Sequence, residues 1–255
     1  MTSDAALRNF SSAIDLLAPS VRFPITIAVV CYGANSALAR RFLESLYRCT
    51  PPELFHLRAG LNEVEPATAA LFSQYQHRFN NVECFIETRN TFKSPLMRRL
   101  FHDKPLESEW MVWCDDDTHF TRADWLIRLA TRIQQIPAVD MWGAGYRLWS
   151  DDAGLLEWIK SARWYRGLPW VHGLNEHGRS GVTFDFATGG FWALRASVIQ
   201  HLNWPDPRLV QAQEDFILGE AIRQNGFRLA SFTYGVAISD APRRNACATE
   251  ITELQ

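Results

Sequence analysis

The sequence predicts an α/β protein, a single domain built on a doubly wound, mostly parallel sheet with helices on both faces. A chain of 255 residues is long enough to bury one large core. Short β-branched runs alternate with helical patterns through the first half, which is typical of parallel sheets. The apolar run from Trp110 to Cys114 ends abruptly in three carboxylates. In such sheets ligands bind where strands end, so this run indicates both a buried strand and a site.

The first half contains four predicted strands and three predicted helices. Each strand is a short apolar run, and Pro51-Pro52 separates the first helix from the second strand. The strands are residues 25–30, 54–61, 82–86 and the run from Trp110, and the helices are residues 36–47, 66–78 and 95–101.

The second half is predicted to continue the sheet after one irregular segment. Residues 147–182 are rich in Trp, Gly and His and have weak periodicity, so we expect a long variable loop with a short helix at 155–164. A strand-like stretch at 184–194 is broken by Gly189-Gly190. The remaining predicted helices are 122–135, 196–202 and 213–224, and the remaining strands are 139–146, 228–233 and 236–238.

Composition excludes several classes of protein. The net charge is −2 and no long block of like charge occurs, so no general polyanion-binding surface is predicted. The odd number of cysteines and their wide spacing favour reduced core residues over disulfides or a zinc site. No apolar run has membrane-spanning length, and the N-terminus lacks a signal pattern, so we expect a cytoplasmic protein.

The carboxylate run at Asp115, Asp116 and Asp117 indicates a site for a divalent cation and an anionic ligand. Adjacent carboxylates repel one another and lose hydration when a strand end is buried. A hard cation with oxygen ligands would offset that cost. The alternative is a solvated turn, or an N-cap cluster for the helix that follows.

Two later motifs accompany this run in a fixed order. They are Thr188-Gly189-Gly190-Phe191-Trp192-Ala193-Leu194-Arg195 and Gln213-Glu214-Asp215-Phe216-Ile217-Leu218-Gly219. The ordered set resembles glycosyltransferases of the Rossmann-like GT-A fold over about residues 24–240. The run at 115–117 is similar to the Asp-x-Asp motif of that fold. The other two motifs are similar to those of glycosyltransferase family 2 and of the fringe-like β3-glycosyltransferases.

The resemblance implies roles for the acidic residues. Asp117 would bind the metal, Mn²⁺ or Mg²⁺, and Asp115 would contact the metal or the donor ribose. Asp116 is counted with the donor-contacting residues, although strand geometry would point its side chain to the opposite side. Asp215 would be the general base that deprotonates the acceptor, and Glu214 is the second candidate. Without a catalytic role, Glu214 and Asp215 are simply favourable acids in a first helical turn.

Further donor contacts are expected at the ends of the other strands. Tyr32 follows the first strand, Asn62 the second, and Arg89 and Lys93 the third. Gly189-Gly190 and Trp192 are predicted to form a wall against a sugar, because glycines let a backbone approach a ligand closely; the alternative is a bulge without function.

The last strand departs from the family pattern. Many metal-dependent members carry a histidine ligand there, and none is present. Asp240 would replace it as a metal ligand, and Arg243 would neutralise the diphosphate.

These features predict a metal-dependent, inverting glycosyltransferase, with hexosyl or N-acetylhexosaminyl transfer from a nucleotide sugar, a UDP-sugar being favoured. The acceptor would be a glycan, peptide or small molecule, with nucleic acid disfavoured by the charge. The alternatives are a nucleotidyltransferase and a non-catalytic carbohydrate-binding protein. Residues 1–22 would form an arm or helix, residues 23–245 the catalytic domain, and residues 246–255 a tail. Within the domain, 23–120 would bind the nucleotide sugar and 121–245 the acceptor.

Overall fold

A computed structural model describes residues 25–210, 213–239 and 248–250, which form a mixed sheet flanked by helices and a small two-stranded ribbon. The predicted N-terminal arm, Asp240, Arg243 and most of the predicted tail lie outside the described residues.

The elements follow the predicted order. The strands are β1 (Ile25–Gly33), β2 (Phe55–Val64), β3 (Val82–Glu87), β4 (Trp110–Asp115), β5 (Thr118–Phe120), β6 (Met141–Ser150), β7 (His172–Leu174), β8 (Ser180–Arg195), β9 (Leu229–Ser231), β10 (Val236–Ile238) and β11 (Ala248–Glu250). The helices are α1 (Ser36–Cys49), α2 (Pro66–Arg78), α3 (Lys93–Phe101), α4 (Trp125–Gln135), α5 (Ala153–Lys160), α6 (Ala196–Leu202) and α7 (Glu214–Gln224), with a 3₁₀ turn at Pro52–Leu54.

The sheet has the strand order β11-β6-β8-β4-β1-β2-β3, with β7 paired to β8 and β9 paired to β6. Strands β1 to β4 run parallel, because each crossover passes through a helix. Strand β8 is antiparallel to both β4 and β6. The predicted α/β class and helix-flanked, mostly parallel sheet are confirmed. The register places Val30 beside Asp115 and Tyr32 beside Asn62, so three carboxyl ends meet at one edge.

Alternation along the central strands divides the core into two faces. Trp110, Val112 and Cys114 of β4 join the cluster that packs on α1, whereas Met111 and Trp113 join the cluster on the opposite face. Helix α1 buries Phe42 against the first cluster, and such burial contributes about 1.5–3 kcal/mol relative to exposure. The alternation therefore places Asp115 on the same face as Trp113.

The predicted variable loop, residues 147–182, needs correction. Its short helix is present as α5, whose first turn is capped by the Asp152 carboxylate, 2.9 Å from the Gly154 nitrogen. Both ends of the segment, however, are strands of the sheet. Gly181 interrupts the strand pattern in the sequence, so the sequence did not predict that β8 begins before residue 184. A Cβ at Gly181 would lie 2.5 Å from the Trp149 ring, so glycine is needed inside the strand.

The C-terminal described residues also join the sheet. Residues 248–250 form β11, which pairs with β6 inside the segment predicted as a tail. The four described cysteines, Cys31, Cys49, Cys84 and Cys114, form no disulfide. Among the described helices, none combines the length and the hydrophobicity that crossing a bilayer requires.

Candidate active site

The carboxylate run lies at the edge of the sheet where β1, β2 and β4 end. Strand β4 ends at Asp115, the chain turns at Asp116 and Asp117, and β5 begins at Thr118. Asp117 is only 4% exposed. The backbone of this turn is therefore part of the folded core and not a solvated loop.

Distant residues hold the Asp117 turn in place. An Arg41 guanidinium nitrogen donates to the Asp117 carbonyl oxygen at 3.2 Å. The Ser239 backbone nitrogen and hydroxyl donate to the same oxygen at 3.3 and 3.2 Å. The Thr118 hydroxyl donates to the Gly190 carbonyl oxygen, which ties the turn to β8. These contacts fix the direction in which the acidic side chains project.

Lys93, the first residue of α3, joins two of the predicted acids. Its Nζ lies 2.9 Å from Asp115 Oδ1, 2.5 Å from Glu214 Oε1 and 5.4 Å from the centre of the Trp113 ring. Burial by itself lowers the pKa of Lys93, but Asp115, Glu214 and Asp215 together raise it above its ordinary value. The ammonium is therefore charged throughout the physiological range and neutralises part of the acidic cluster.

We expect Lys93→Met to lower the melting temperature by several degrees at pH 8, because two clustered carboxylates lose their cation. At pH 5 the loss should be smaller, since the unpaired acids then take up protons. Lys160→Met, which removes an exposed pair with Glu157, is the control and should change little. Equal melting temperatures for the Lys93 variant and the wild type at pH 8 would contradict this role.

Asp215 lies in the first turn of α7, beside the glycines of β8. The Gly189 nitrogen donates to Asp215 Oδ2 at 2.5 Å. Asp215 Oδ1 is buried and has no hydrogen-bond partner in the described chain. Burial raises the pKa of Asp215 most, Glu214 and Asp115 raise it further, and Lys93 opposes them, so that it reaches about 7. A carboxyl that titrates near neutral pH can accept a proton from a substrate.

The glycines of β8 serve close contacts within the protein. A Cβ on Gly189 would overlap the Asp215 carboxylate, and one on Gly190 would lie 2.5 Å from Ile238 Cδ1. The approach of this backbone to a ligand stays a prediction. The predicted sugar contact of Trp192 needs correction, because Trp192 is 2% exposed and its ring stacks on Trp113 at 6.0 Å, in the core behind the site.

The residues predicted to contact the nucleotide fall into two groups. Tyr32 is 49% exposed and Arg89 is exposed, so both present side chains at this edge. Asn62 is buried, and it donates to Asn90 Oδ1 and accepts from the Thr91 nitrogen, each at 2.9 Å. Asn62 therefore braces the loop after β3, which corrects its predicted exposure to a base.

Asp116 lies between Asp115 and Asp117 in the chain, near Cys31 and the Tyr32 backbone. Burial raises the pKa of Asp116 most, Asp115 and Asp117 raise it further, and two backbone N–H groups oppose them, giving about 7. The pKa of Asp116 thus reflects its burial first and the acids on either side of it second.

The described side chains do not form a complete coordination site for a metal. No group of three His, Cys, Asp or Glu side chains among residues 25–210, 213–239 and 248–250 is placed to hold one. Asp115 and Asp117 could supply two carboxylates at the strand end, and Asp240 lies outside the described residues. His119 instead lines a groove beside Arg41, and burial followed by the charge of Arg41 lowers its pKa.

Sequence reasoning missed several residues that build the site. Arg41 and Ser239, which are 76 and 122 residues away in the sequence, donate hydrogen bonds to the Asp117 carbonyl. Trp113 Nε1 of β4 donates to the Gly189 carbonyl of β8 at 2.8 Å. No spacing in the sequence signals these contacts.

A family model described as glycosyltransferase-like family 2 matches residues 22–253. The chain belongs to this family. Solved structures agree in fold: TarS residues 1–349 from S. aureus superposes on this family 2 chain with a TM-score of 0.55 and 14% identity, over 83% of this chain and 58% of TarS. The predicted resemblance to family 2 and to the GT-A fold is confirmed, and the fringe-like part stays a prediction.

Two further structures share the fold. The mannosyltransferase PcManGT from Pyrobaculum calidifontis, in complex with GDP-Man and Mn²⁺, gives a TM-score of 0.55 at 15% identity, over 89% of this chain and 62% of PcManGT. The 4-diphosphocytidyl-2C-methyl-D-erythritol synthase of Anaerococcus prevotii gives 0.51 at 8% identity, over 91% of this chain and 95% of that enzyme. The family 2 chain thus spans about three-fifths of TarS 1–349 and PcManGT. No curated protein matches its sequence.

Proposed function

We propose that this family 2 glycosyltransferase moves a hexosyl or N-acetylhexosaminyl group from a UDP-sugar to an acceptor hydroxyl, with inversion and with a divalent cation. One observation carries the proposal: Asp215 has one oxygen held by Gly189 and the other buried without a partner, beside the acidic strand end. A base is needed at such a place, and binding alone would not require it.

The geometry also separates the two candidate bases. Glu214 is held by Lys93 at 2.5 Å, whereas Asp215 Oδ1 is unpartnered within the described residues. In the reaction, Asp215 Oδ1 takes the proton of the acceptor hydroxyl while that oxygen attacks the anomeric carbon. The bond from that carbon to the phosphate oxygen breaks, and the electron pair leaves with UDP. A single displacement of this kind inverts the anomeric centre.

The leaving diphosphate calls for positive charge at the strand end. A bound Mn²⁺ or Mg²⁺ would stabilise the charge that develops on the leaving phosphate. Asp117 and Asp115 are the proposed ligands, with Asp240 as a further oxygen donor and Arg243 near the phosphates. The three consecutive carboxylates Asp115, Asp116 and Asp117 support a cation at this strand end, since, within the described residues, Lys93 pairs with Asp115 alone among them.

Exposed residues at the same edge would bind the nucleotide. Tyr32 is available to stack on a base, and Arg89 is available to contact the base or a phosphate. TarS was solved with UDP-GlcNAc and PcManGT with GDP-Man, which supports a nucleotide sugar as donor. In this proposal residues 23–120 form the donor half and residues 121–245 the acceptor half. The cytoplasmic location stays a prediction.

A nucleotidyltransferase is the second candidate, because the synthase from A. prevotii shares the fold over most of both chains. Such enzymes need a glycine-rich, basic segment after the first strand to cradle a triphosphate. Here β1 ends at Gly33, which has a positive φ, and only Ala34 and Asn35 separate it from α1. The family and this loop therefore favour sugar transfer over nucleotidyl transfer and over carbohydrate binding alone.

A thermal-shift screen tests the proposal. The protein is heated with UDP-, GDP-, dTDP- and CMP-sugars, each with Mn²⁺ or EDTA, and with CTP as the competing class. A ligand at roughly 100 times its Kd adds about 2.7 kcal/mol of stability. We expect the largest rise for a UDP-sugar with Mn²⁺, and inversion in the NMR spectrum of the product. Stabilisation by CTP alone would support the nucleotidyltransferase instead.

A further inference from the structure

A second site is formed by a groove of about 390 Å³ between α1 and β5. We call it the α1–β5 groove and define it by Ser36, Arg40, Arg41, Glu44, Arg48 and His119. It lies on the α1 face of the sheet, whereas Lys93, Asp115 and Trp113 lie on the other face. The groove therefore opens on the opposite face from Lys93 and Asp115, and it adjoins the proposed donor site through Arg41, which holds the Asp117 carbonyl.

The groove is strongly basic, although the whole chain is slightly acidic. Three arginines line it, and Glu44 is the one carboxylate among its defining residues. The pair between Arg40 and Glu44 is loose, at 3.7 Å between side chains that are 60% and 57% exposed. Such a pair contributes little, so it leaves Arg40 available to a ligand.

Two buried polar atoms of groove residues have no hydrogen-bond partner among the described residues. Arg41 Nε and His119 Nδ1 are buried and have no partner within the described ranges. A terminal nitrogen of Arg41 donates to the carbonyl oxygen of Asp117, and this neutral acceptor does not offset the charge of the guanidinium. An anion in the groove would offset the charge of the Arg41 guanidinium, whereas the two buried atoms lie beyond its direct reach.

The arginines are arranged along a line that starts at the active-site edge. Helix α1 begins just after β1 ends, and Arg40 and Arg48 lie eight residues apart on one face, about 12 Å along the axis. One small anion cannot reach both. The spacing fits a linear ligand that carries several anionic groups and extends away from the catalytic carboxylates.

We propose that the α1–β5 groove, although it lies within residues 23–120, binds a phosphodiester-bearing segment of the acceptor that extends beyond the acceptor half. Guanidinium groups match phosphate oxygens in a bidentate way, and a phosphodiester chain carries one charge at every repeat. This proposal rests on the proposed function only in naming the ligand as an acceptor. The groove itself, and its affinity for phosphodiesters, can be tested without donor, metal or turnover.

The probe is an abasic deoxyribose phosphodiester hexamer, measured by titration calorimetry in EDTA over a range of salt concentrations. Arg40→Gln/Arg48→Gln should weaken binding about tenfold and reduce the salt slope by about 1.4, since each phosphate contact contributes about 0.7. Glu44→Gln should tighten binding a few-fold by removing the opposing charge. Arg41 is left intact because it holds the Asp117 turn.

Arg128→Gln/Arg132→Gln is the matched control. These two arginines lie one turn apart, closer together than Arg40 and Arg48, on an exposed helix face, and they line another cavity, of about 570 Å³. They should leave hexamer binding unchanged. If both double variants weakened binding equally, general charge and not the groove would be responsible. Equal affinity for hexaglutamate would overturn the choice of phosphate.

A competition experiment separates this site from the donor site. Saturating UDP with Mn²⁺ should leave hexamer binding unchanged, and displacement by UDP would place the hexamer in the donor site and overturn the proposal. If UDP-sugars failed to bind while the groove variants behaved as expected, the proposed function alone would fail. If UDP-sugars bound and the groove variants had no effect, the groove proposal alone would fail.

Discussion

Replacing Asp215 with asparagine should lower kcat by about 10²–10⁴-fold, the usual cost of losing a general base. The affinity for UDP, measured by calorimetry, should change little. Asparagine keeps the shape of the side chain and can still accept the hydrogen bond from the Gly189 nitrogen. What is lost is the oxygen that takes the acceptor proton.

Glu214→Gln is the matched control one residue away. Glu214 is held by Lys93, so its loss should lower kcat less than the loss of Asp215. An Asp215→Asn variant with near-normal kcat would contradict the role of the base, as would a product with retained configuration.

The pH dependence of kcat/KM should also report the titration of the general base. Because burial and neighbouring acids raise the pKa of Asp215 to about 7, kcat/KM should fall tenfold per unit as the pH drops below that value. Stability changes in the opposite direction. A carboxyl whose pKa is raised on folding stabilises the protein below its unfolded pKa, and that contribution is lost as the pH rises through about 7. Asp215→Asn should therefore melt higher than the wild type at pH 8 and not at pH 4.

Asp117→Asn should abolish most of the Mn²⁺-dependent part of UDP affinity and lower activity by orders of magnitude. The carboxylate lies at a turn fixed by Arg41 and Ser239, so a metal ligand there would be held in a defined direction. The measurement is calorimetry of UDP binding with Mn²⁺ and with EDTA, for the variant and the wild type.

Asp116→Asn provides the comparison for this variant. Asp116 lies near Cys31 and the Tyr32 backbone and is not one of the proposed metal ligands, so the metal-dependent affinity should be kept. The stability of the variant at pH 8 should rise, since the burial of a charged carboxylate and its repulsion by Asp115 and Asp117, which together raise the pKa of Asp116, are removed. Equal UDP affinity of the wild type in Mn²⁺ and in EDTA would refute the metal requirement.

Local sequence patterns predicted the fold and the positions of the acids. An apolar run that ends in Asp115 marks a strand end, and Glu214-Asp215 are favourable first-turn acids at the start of a helix. Both patterns span only a few neighbouring residues, so they can be recognised without knowledge of tertiary contacts.

The environment of each side chain was not predictable in this way. Tryptophan and asparagine are residue types that often contact ligands. Pairing of β8 with β4, however, places Trp192 in the core, and the loop after β3 closes over Asn62. The Lys93 bridge to Asp115 and Glu214 joins three separate elements. Which face of a strand is covered, and by what, depends on strand order, and periodicity does not encode strand order.

The hydrogen bonds from Ser239 to Asp117 have a consequence during synthesis. These two residues are 122 positions apart, and β10 pairs with β5 only once both have been made. At about 5–20 residues per second, a ribosome needs roughly 6–24 s to travel that distance. Strands β1 to β4 can meet during this interval, and Arg41 can then hold the Asp117 carbonyl without Ser239. A nascent chain released before Ser239 would therefore keep much of its sheet but lack the two hydrogen bonds from Ser239 that complete the support of the acidic turn.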